Sequence, residues 1–317
     1  MDDRPNGIDD RGKGAVSRRS VLRGIAVGPV AGVLAQVGTA EAATGATSEG
    51  ENVMTPGTTR TDDGVTLAYR VRGDGPLTLL FMHGWGGSGA YFDETLSYLD
   101  LKGLRVVTFD FRGHGASDQA EAGYSLERFA RDTFVVADAV GAETFVPIGY
   151  SMSGRFAQYL AVLDPQRVSG QVLVAGWPSG EVPLPEEVIQ DWAGRAGDRA
   201  RLIELERQFI TQPVADAVLE RWADDAVKVS RAVLETTLRM TVEGSFADRA
   251  AALRTPTVVV GGLHDPVCTP DFLRQGVKDP LATAGARLVL LDCNHDVPIE
   301  QPRELAALIE AFVAGRG

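Results

Sequence analysis

Cysteine is almost absent from this 317-residue chain, with only Cys268 and Cys293 and no Cys-x-x-Cys spacing. Two cysteines exclude a disulfide-stapled small scaffold and a four-cysteine zinc site. No His-Glu-x-x-His run occurs either, so no metal and no other cofactor is expected. Positive charge is also short: 31 Lys and Arg stand against 43 Asp and Glu, a net charge of −12. Such a chain has no long-range attraction for nucleic acid or anionic lipid, and no basic stripe lies outside its N-terminal region. It lacks any run of eighteen strongly apolar residues, so no stable membrane anchor is expected. Histidine occurs four times, few enough for each one to be weighed. What is present is an ordinary globular composition, 44% hydrophobic and 23% charged, sufficient for one large domain or two small ones.

Residues 1–42 read as a targeting segment. Ser17-Arg18-Arg19-Ser20-Val21-Leu22-Arg23 resembles the twin-arginine export motif. A weakly apolar stretch interrupted by glycines and Pro29 follows, then Ala40-Glu41-Ala42, an A-x-A cleavage pattern. The expected partner during export is the twin-arginine translocase, and the expected compartment is periplasmic or extracellular. Residues 43–54, small and polar, read as a flexible linker.

From Thr55 the pattern alternates between strands and helices. TTRTDDGVTLAYRVRG reads as an antiparallel hairpin turning at Asp63-Gly64. Strands LTLLFMHG, RVVTFDF, TFVPIGY and VSGQVLVAG follow, separated by helical patterns. One of these is YFDETLSYL, and another is SLERFARDTFVVADAVG, capped by Ser125 and closed by Gly141. From about 178 to 253 only helical patterns occur, before TPTVVVGG, ARLVLLDC and a final helix. Such alternation predicts an α/β fold, a mostly parallel central sheet flanked by helices, with the helical block inserted as a cap.

The stretch Gly149-Tyr150-Ser151-Met152-Ser153-Gly154 joins a strand to a helix and fits the Gly-x-Ser-x-Gly nucleophile template with one residue out of place. The template needs small residues two before and two after the nucleophile. With Ser151 those positions are Gly149 and Ser153. With Ser153 they are Ser151 and Arg155, a long side chain not expected to pack there. Ser151 is therefore the candidate nucleophile. A serine hydroxyl needs a base, and the base an orienting carboxylate. His295 follows ARLVLLDC and Asp265 follows TPTVVVGG, so the order Ser, acid, His falls at the ends of three strands. Backbone N–H groups that stabilise a developing oxyanion by several kcal/mol are expected from Met152 and from Trp85 in the glycine-rich loop after LTLLFM.

These motifs, with Asp110-x-Arg112-Gly113-His114-Gly115-x-Ser117 and Asn294-His295-x-x-x-x-Glu300-x-Pro302, together resemble the α/β-hydrolase superfamily over residues 55–317. The resemblance implies the α/β-hydrolase fold, Ser151 as nucleophile, His295 as base, Asp265 as its orienter, Trp85 and Met152 as oxyanion donors, and His114 as a structural residue. Serine at 151 argues against the aspartate-nucleophile dehalogenases and epoxide hydrolases of this fold. Ser153 and Asn294 depart from the glycines of the family pattern.

A Cys268–Cys293 disulfide, tying the acid loop to the base loop at about 3 kcal/mol in the chain-entropy model, is one expectation. Two buried free thiols are the other. Aromatic residues of the helical block suggest an apolar pocket over Ser151, with Trp177 and Trp222 as substrate contacts. The expected function is a serine hydrolase acting on a small to medium carboxylic ester or lactone. The alternatives are a cofactor-free perhydrolase, similar to haloperoxidases that lack haem, and a ligand-binding receptor on the same fold.

Overall fold

The computed structural model of the protein describes residues 53–315. The expected export signal and most of the expected linker lie outside the described residues. Within them, one eight-stranded sheet has the order β1-β2-β4-β3-β5-β6-β7-β8. The hairpin forms as read: β1 (Thr55–Arg60) and β2 (Thr66–Arg72) are antiparallel, with Gly64 at φ +86° in their turn. β2 also runs antiparallel to β4 (Leu104–Phe109). From there β3 (Leu77–Met82), β5 (Phe145–Tyr150), β6 (Gln171–Val174), β7 (Thr257–Gly262) and β8 (Arg287–Leu291) are all parallel.

Their runs of valine, leucine, isoleucine and phenylalanine suit strands covered on both faces. Each residue of β5 and β7 is buried. Eleven α-helices are described: α1 (Asp93–Leu96), α2 (Leu126–Ala139), α3 (Met152–Leu163), α4 (Glu186–Ala193), α5 (Arg199–Glu206), α6 (Asp216–Ala226), α7 (Arg231–Val242), α8 (Ala247–Ala251), α9 (Pro270–Phe272), α10 (Val297–Glu300) and α11 (Pro302–Ala314). Ser125 caps α2 by accepting from the N–H of Arg128 at 3.2 Å, and Gly141 just past its end has φ +69°. Helices α4 to α8 fill the gap between β6 and β7. None of the described helices is long and apolar enough to cross a membrane.

Two elements differ from the sequence reading. YFDETLSYL makes only a 3-10 turn (Gly89–Phe92) followed by the single turn α1. Between β7 and β8, where no helix was expected, α9 continues into a π-helical turn over Leu273–Lys278. A parallel pair needs such a crossover.

The sheet order positions the site. β3 lies between β4 and β5, so the chain leaves β3 to one side and returns on the other. In an open parallel sheet the crevice outside the strand ends at such a reversal is where ligands bind. β3 and β5 are in register there, Met82 beside Gly149. The Trp85 loop and Ser151 therefore emerge side by side.

Candidate active site

Ser151 stands between β5 and α3 with φ 52° and ψ −115°. A non-glycine residue held there costs about 1–3 kcal/mol, and such strain persists only where surrounding structure enforces it. Here the Ser151 N–H donates to Val174 O at 2.8 Å, and its carbonyl accepts from Gly154 and Trp177 at 3.0 and 3.2 Å. The turn leaves no space at Gly149, where an added Cβ would sit 2.4 Å from the Ser153 carbonyl oxygen.

Ser153 does not meet the chain after β6, where the template expects glycine. The close approach falls one residue later, at Gly154, where a Cβ would lie 2.5 Å from the Gly176 Cα. The Ser153 hydroxyl instead donates to Met82 O at 2.5 Å and accepts from the Tyr150 N–H at 2.9 Å. It therefore links the ends of β3 and β5.

Arg155 lies four residues past the turn at Ser151, so it does not occupy the position two after the turn where a long side chain was not expected to pack. Arg155 is buried, and its guanidinium donates to Pro178 O and Gly180 O at 2.6 and 2.7 Å. It also donates to Glu243 O and Gly244 O at 3.0 and 2.7 Å.

Asp265 and His295 come from loops after β7 and β8. His295 Nδ1 lies 2.7 Å from Asp265 Oδ2, and His295 Nε2 lies 2.9 Å from Ser151 Oγ. Asp265 Oδ1 is already engaged, accepting from the N–H groups of Val267 and Cys268 at 2.8 Å each. With Nδ1–H donating to the carboxylate, Nε2 is left to accept from the serine hydroxyl. Burial opposes the imidazolium. The charge and hydrogen bond of Asp265 outweigh it, with smaller contributions from Asp296 and Glu206, and hold the His295 pKa up at about 9.

The base loop is fixed from two directions. Asn294 Oδ1 accepts from the His295 N–H at 2.8 Å, while Asn294 N–H donates to Glu300 Oε1 at 2.9 Å. Glu300 Oε2 accepts from the N–H groups of Thr211 and Gln212 at 2.6 and 2.7 Å. That carboxylate therefore fastens the base loop to the chain after α5.

The disulfide expectation is corrected: Cys268 and Cys293 are both free and buried. The acid and base loops are held together without a cross-link. Leu263 and His264 donate to Leu291 O and Cys293 O at 2.8 and 3.0 Å, and Gly262 lies so close that a Cβ would sit 1.9 Å from Asn294 O. Cys268 turns instead toward the acid–base pair. The ligand atoms of Asp265, Cys268 and His295 all lie within 4.8 Å of one another. Burial pushes the Cys268 thiol well up, so it stays protonated. The carboxylate and imidazole are bonded to each other, and the trio reads as packing around that pair rather than as a metal centre. Titration of the unfolded, unreduced protein is expected to find two thiols, and a count of zero would restore the cross-link.

Trp85, Met152, Trp177 and Trp222 all line the cavity onto which Ser151 opens. The Trp85 indole N–H donates to Leu234 O at 2.8 Å, which fixes the glycine-rich loop against α7. Gly84 in that loop is pressed on the end of β5, where a Cβ would lie 2.8 Å from the Tyr150 ring. His83 and His114 are buried supports. His83 Nε2 accepts from the Phe111 N–H at 3.1 Å, and Nδ1–H donates to Gly84 O at 2.8 Å. Burial lowers the pKa of both rings, to about 4 for His83 and about 3 for His114, so both are neutral.

Sequence reasoning missed the four ionisable lining groups Tyr91, Tyr150, Glu206 and Asp296. Asp296 adjoins His295, and Tyr150 adjoins Ser151, so their places beside the candidate catalytic residues were the available signal. Glu206 and Tyr91 carried none, being separated from the motifs along the chain.

A strained serine at a strand-to-helix turn, facing a buried histidine–carboxylate pair across a switch-point crevice, defines a class. A family model described as the alpha/beta hydrolase fold matches residues 78–206. The chain is an enzyme of this α/β-hydrolase family. A non-heme chloroperoxidase of Streptomyces lividans is 30% identical to it over 233 residues, 67% of this chain and 83% of the relative. Among solved structures, an esterase from Exiguobacterium antarcticum matches at TM-score 0.73 and 18% identity, over 81% of this chain and 98% of that one. The enol-lactonase from Burkholderia xenovorans LB400 matches at TM-score 0.69 and 23% identity, over 81% of this chain and 100% of that one. At those identities the two structures speak to the fold alone.

Proposed function

We propose that this protein is a serine hydrolase that cleaves small carboxylic esters or lactones through an acyl-enzyme. One observation carries the reading: the hydrogen-bonded chain from Ser151 through His295 to Asp265, at 2.9 and 2.7 Å. In this reading the Ser151 hydroxyl attacks the acyl carbon while His295 Nε2 takes its proton. Asp265 steadies the imidazolium, and the backbone N–H groups of Trp85 and Met152 hold the oxyanion. His295 then protonates the leaving alcohol. Water, activated by the same nitrogen, hydrolyses the acyl-enzyme.

Size supports a small substrate. The cavity measures about 50 Å³. One water takes about 10–15 Å³ on this measure, so the space suits a short acyl group. In this reading the helical segment 178–253 acts as a cap, since Trp192, Phe209 and Trp222 from it line the cavity.

A p-nitrophenyl ester panel from acetate to palmitate tests the proposal, with acetate or butyrate expected fastest. Its pH profile is a second expected result. A general base must be neutral, so a His295 pKa of about 9 predicts that kcat/KM climbs with pH and reaches half its plateau near 9. A plateau already complete by pH 7 would contradict that assignment.

Similarity to a chloroperoxidase favours one second reading, in which hydrogen peroxide replaces water at the acyl-enzyme. Peracid formation from acetate and peroxide measures it directly. Export forms part of the same proposal. Replacing Arg18 and Arg19 by lysine is expected to leave the protein in the cytoplasm, and unchanged fractionation would refute the twin-arginine route.

A further inference from the structure

One end of the cavity holds groups that acyl transfer does not use. Tyr91, from the 3-10 turn, stacks on Tyr150 with ring centroids 5.2 Å apart. The Tyr91 hydroxyl donates to Glu206 Oε1 at 3.0 Å, and the Tyr150 hydroxyl donates to Asp296 Oδ1. Glu206 and Asp296 are 8% and 1% exposed. The second Asp296 oxygen, Oδ2, has no hydrogen-bond partner among the described residues, and both acids line the cavity. Both tyrosine protons are already committed. Trp85, Trp177, Trp192, Phe209 and Trp222 make up much of the remaining wall, which contains no lysine or arginine among the described residues.

A buried carboxyl oxygen without a partner favours a hydrogen-bond donor, and an ionised acid beside it favours a cation. Aromatic faces attract cations. A carboxylate ligand would be repelled here, a carbonyl brings no donor, and an alkyl chain leaves the oxygen unpaired. A protonated amine meets every requirement. We propose that this end of the cavity is a subsite for the primary ammonium group of a small substrate. The further statement that this substrate is an ammonium-bearing ester rests on the hydrolase reading, while the subsite itself does not.

Proton linkage supplies a signature. Burial pushes the Glu206 carboxyl up to about 7, and burial together with the charge of Glu206 pushes Asp296 well above the usual carboxylate range. A proton therefore neutralises Glu206 below about pH 7 until an ammonium displaces it. The titratable groups facing the pair are Tyr91 from the turn, Tyr150 from the end of β5 and His295 from the base loop. Because the ammonium binds beside ionised Glu206, affinity rises as pH climbs through about 7.

The test is calorimetry of n-propylammonium chloride against propan-1-ol on the wild-type protein, which needs no turnover. At pH 8 the amine is expected to bind at least tenfold more tightly than the alcohol, about tenfold more weakly at pH 6, and to release a proton. Glu206→Gln and Asp296→Asn are each expected to weaken the amine tenfold or more and to flatten its pH dependence. Equal binding of amine and alcohol, or wild-type affinity indifferent to pH, overturns the subsite. Turnover is then compared for β-alanine ethyl ester and ethyl butyrate, which differ by an ammonium in place of a methyl. A tenfold preference for the former in kcat/KM supports the subsite. Ester turnover without that preference and without amine binding overturns the subsite alone. Amine binding with no ester turned over supports the subsite and overturns the hydrolase reading.

Discussion

Alanine at position 151 is expected to lower kcat for p-nitrophenyl acetate by about 10⁴-fold or more, in a protein that keeps its fold. The size follows from the loss of covalent catalysis. Without Oγ, His295 Nε2 has no proton to accept, and only binding and oxyanion stabilisation remain. In serine hydrolases such remnants leave roughly 10³–10⁴-fold over water, far below the intact triad. Stability should not fall, because alanine relieves none of the backbone contacts that hold the turn at φ 52°. A fluorophosphonate probe should label Ser151 in the wild type and nothing in the variant. Label on Ser153, or undiminished turnover, would end the assignment.

Ser153→Gly is the matching control. It removes the hydroxyl bonded to Met82 O at 2.5 Å and to the Tyr150 N–H at 2.9 Å. Leaving those groups unpaired costs stability by about 1–3 kcal/mol. Activity should stay within a few-fold, since the hydroxyl is turned away from the cavity.

How much of this was legible in the chain depended on distance along it. The alternation of apolar runs with amphipathic ones revealed the parallel sheet, and the Ser, acid, His order revealed which strand ends converge. Both signals are periodic or local. The close approach at Gly154 instead of residue 153 was not legible, because it depends on which face of the first helical turn meets Gly176. The cysteines misled for a related reason. Their loops do adjoin, but sequence does not say which way a side chain points, and Cys268 turns toward His295. Glu206 was hidden in α5 among other charged residues, where an acid on the buried face reads the same as one in water. The crossover at α9 was missed because its helix is too short and irregular to show a 3.6-residue period.

Arg155 carries the second large expectation. Arg155→Met should destabilise the protein by about 3 kcal/mol, a drop of roughly 6–12 °C in Tm for a domain of this size. Its guanidinium lies over Phe246, the central carbon 5.2 Å from the ring centroid, and methionine replaces that cation–π contact with an apolar one. What methionine removes is a charge that four backbone carbonyls share, Pro178 and Gly180 where the helical segment begins, Glu243 and Gly244 between α7 and α8. Hydrogen bonds to a charged group contribute about 1.5–3 kcal/mol each. The desolvation that lowers the Arg155 pKa to about 10 takes back a large part, which is why the net loss is set well below the sum. Because Arg155 sits four residues past Ser151 on α3, it roots the helical segment, at its start and at the α7–α8 turn, to the helix that follows Ser151. Loosening those roots should let water into the aromatic cavity, so KM for short esters is expected to rise more than kcat falls. A variant that melts early but keeps wild-type KM would show that Arg155 supports the fold alone, while unchanged melting would show that the carbonyls find other donors.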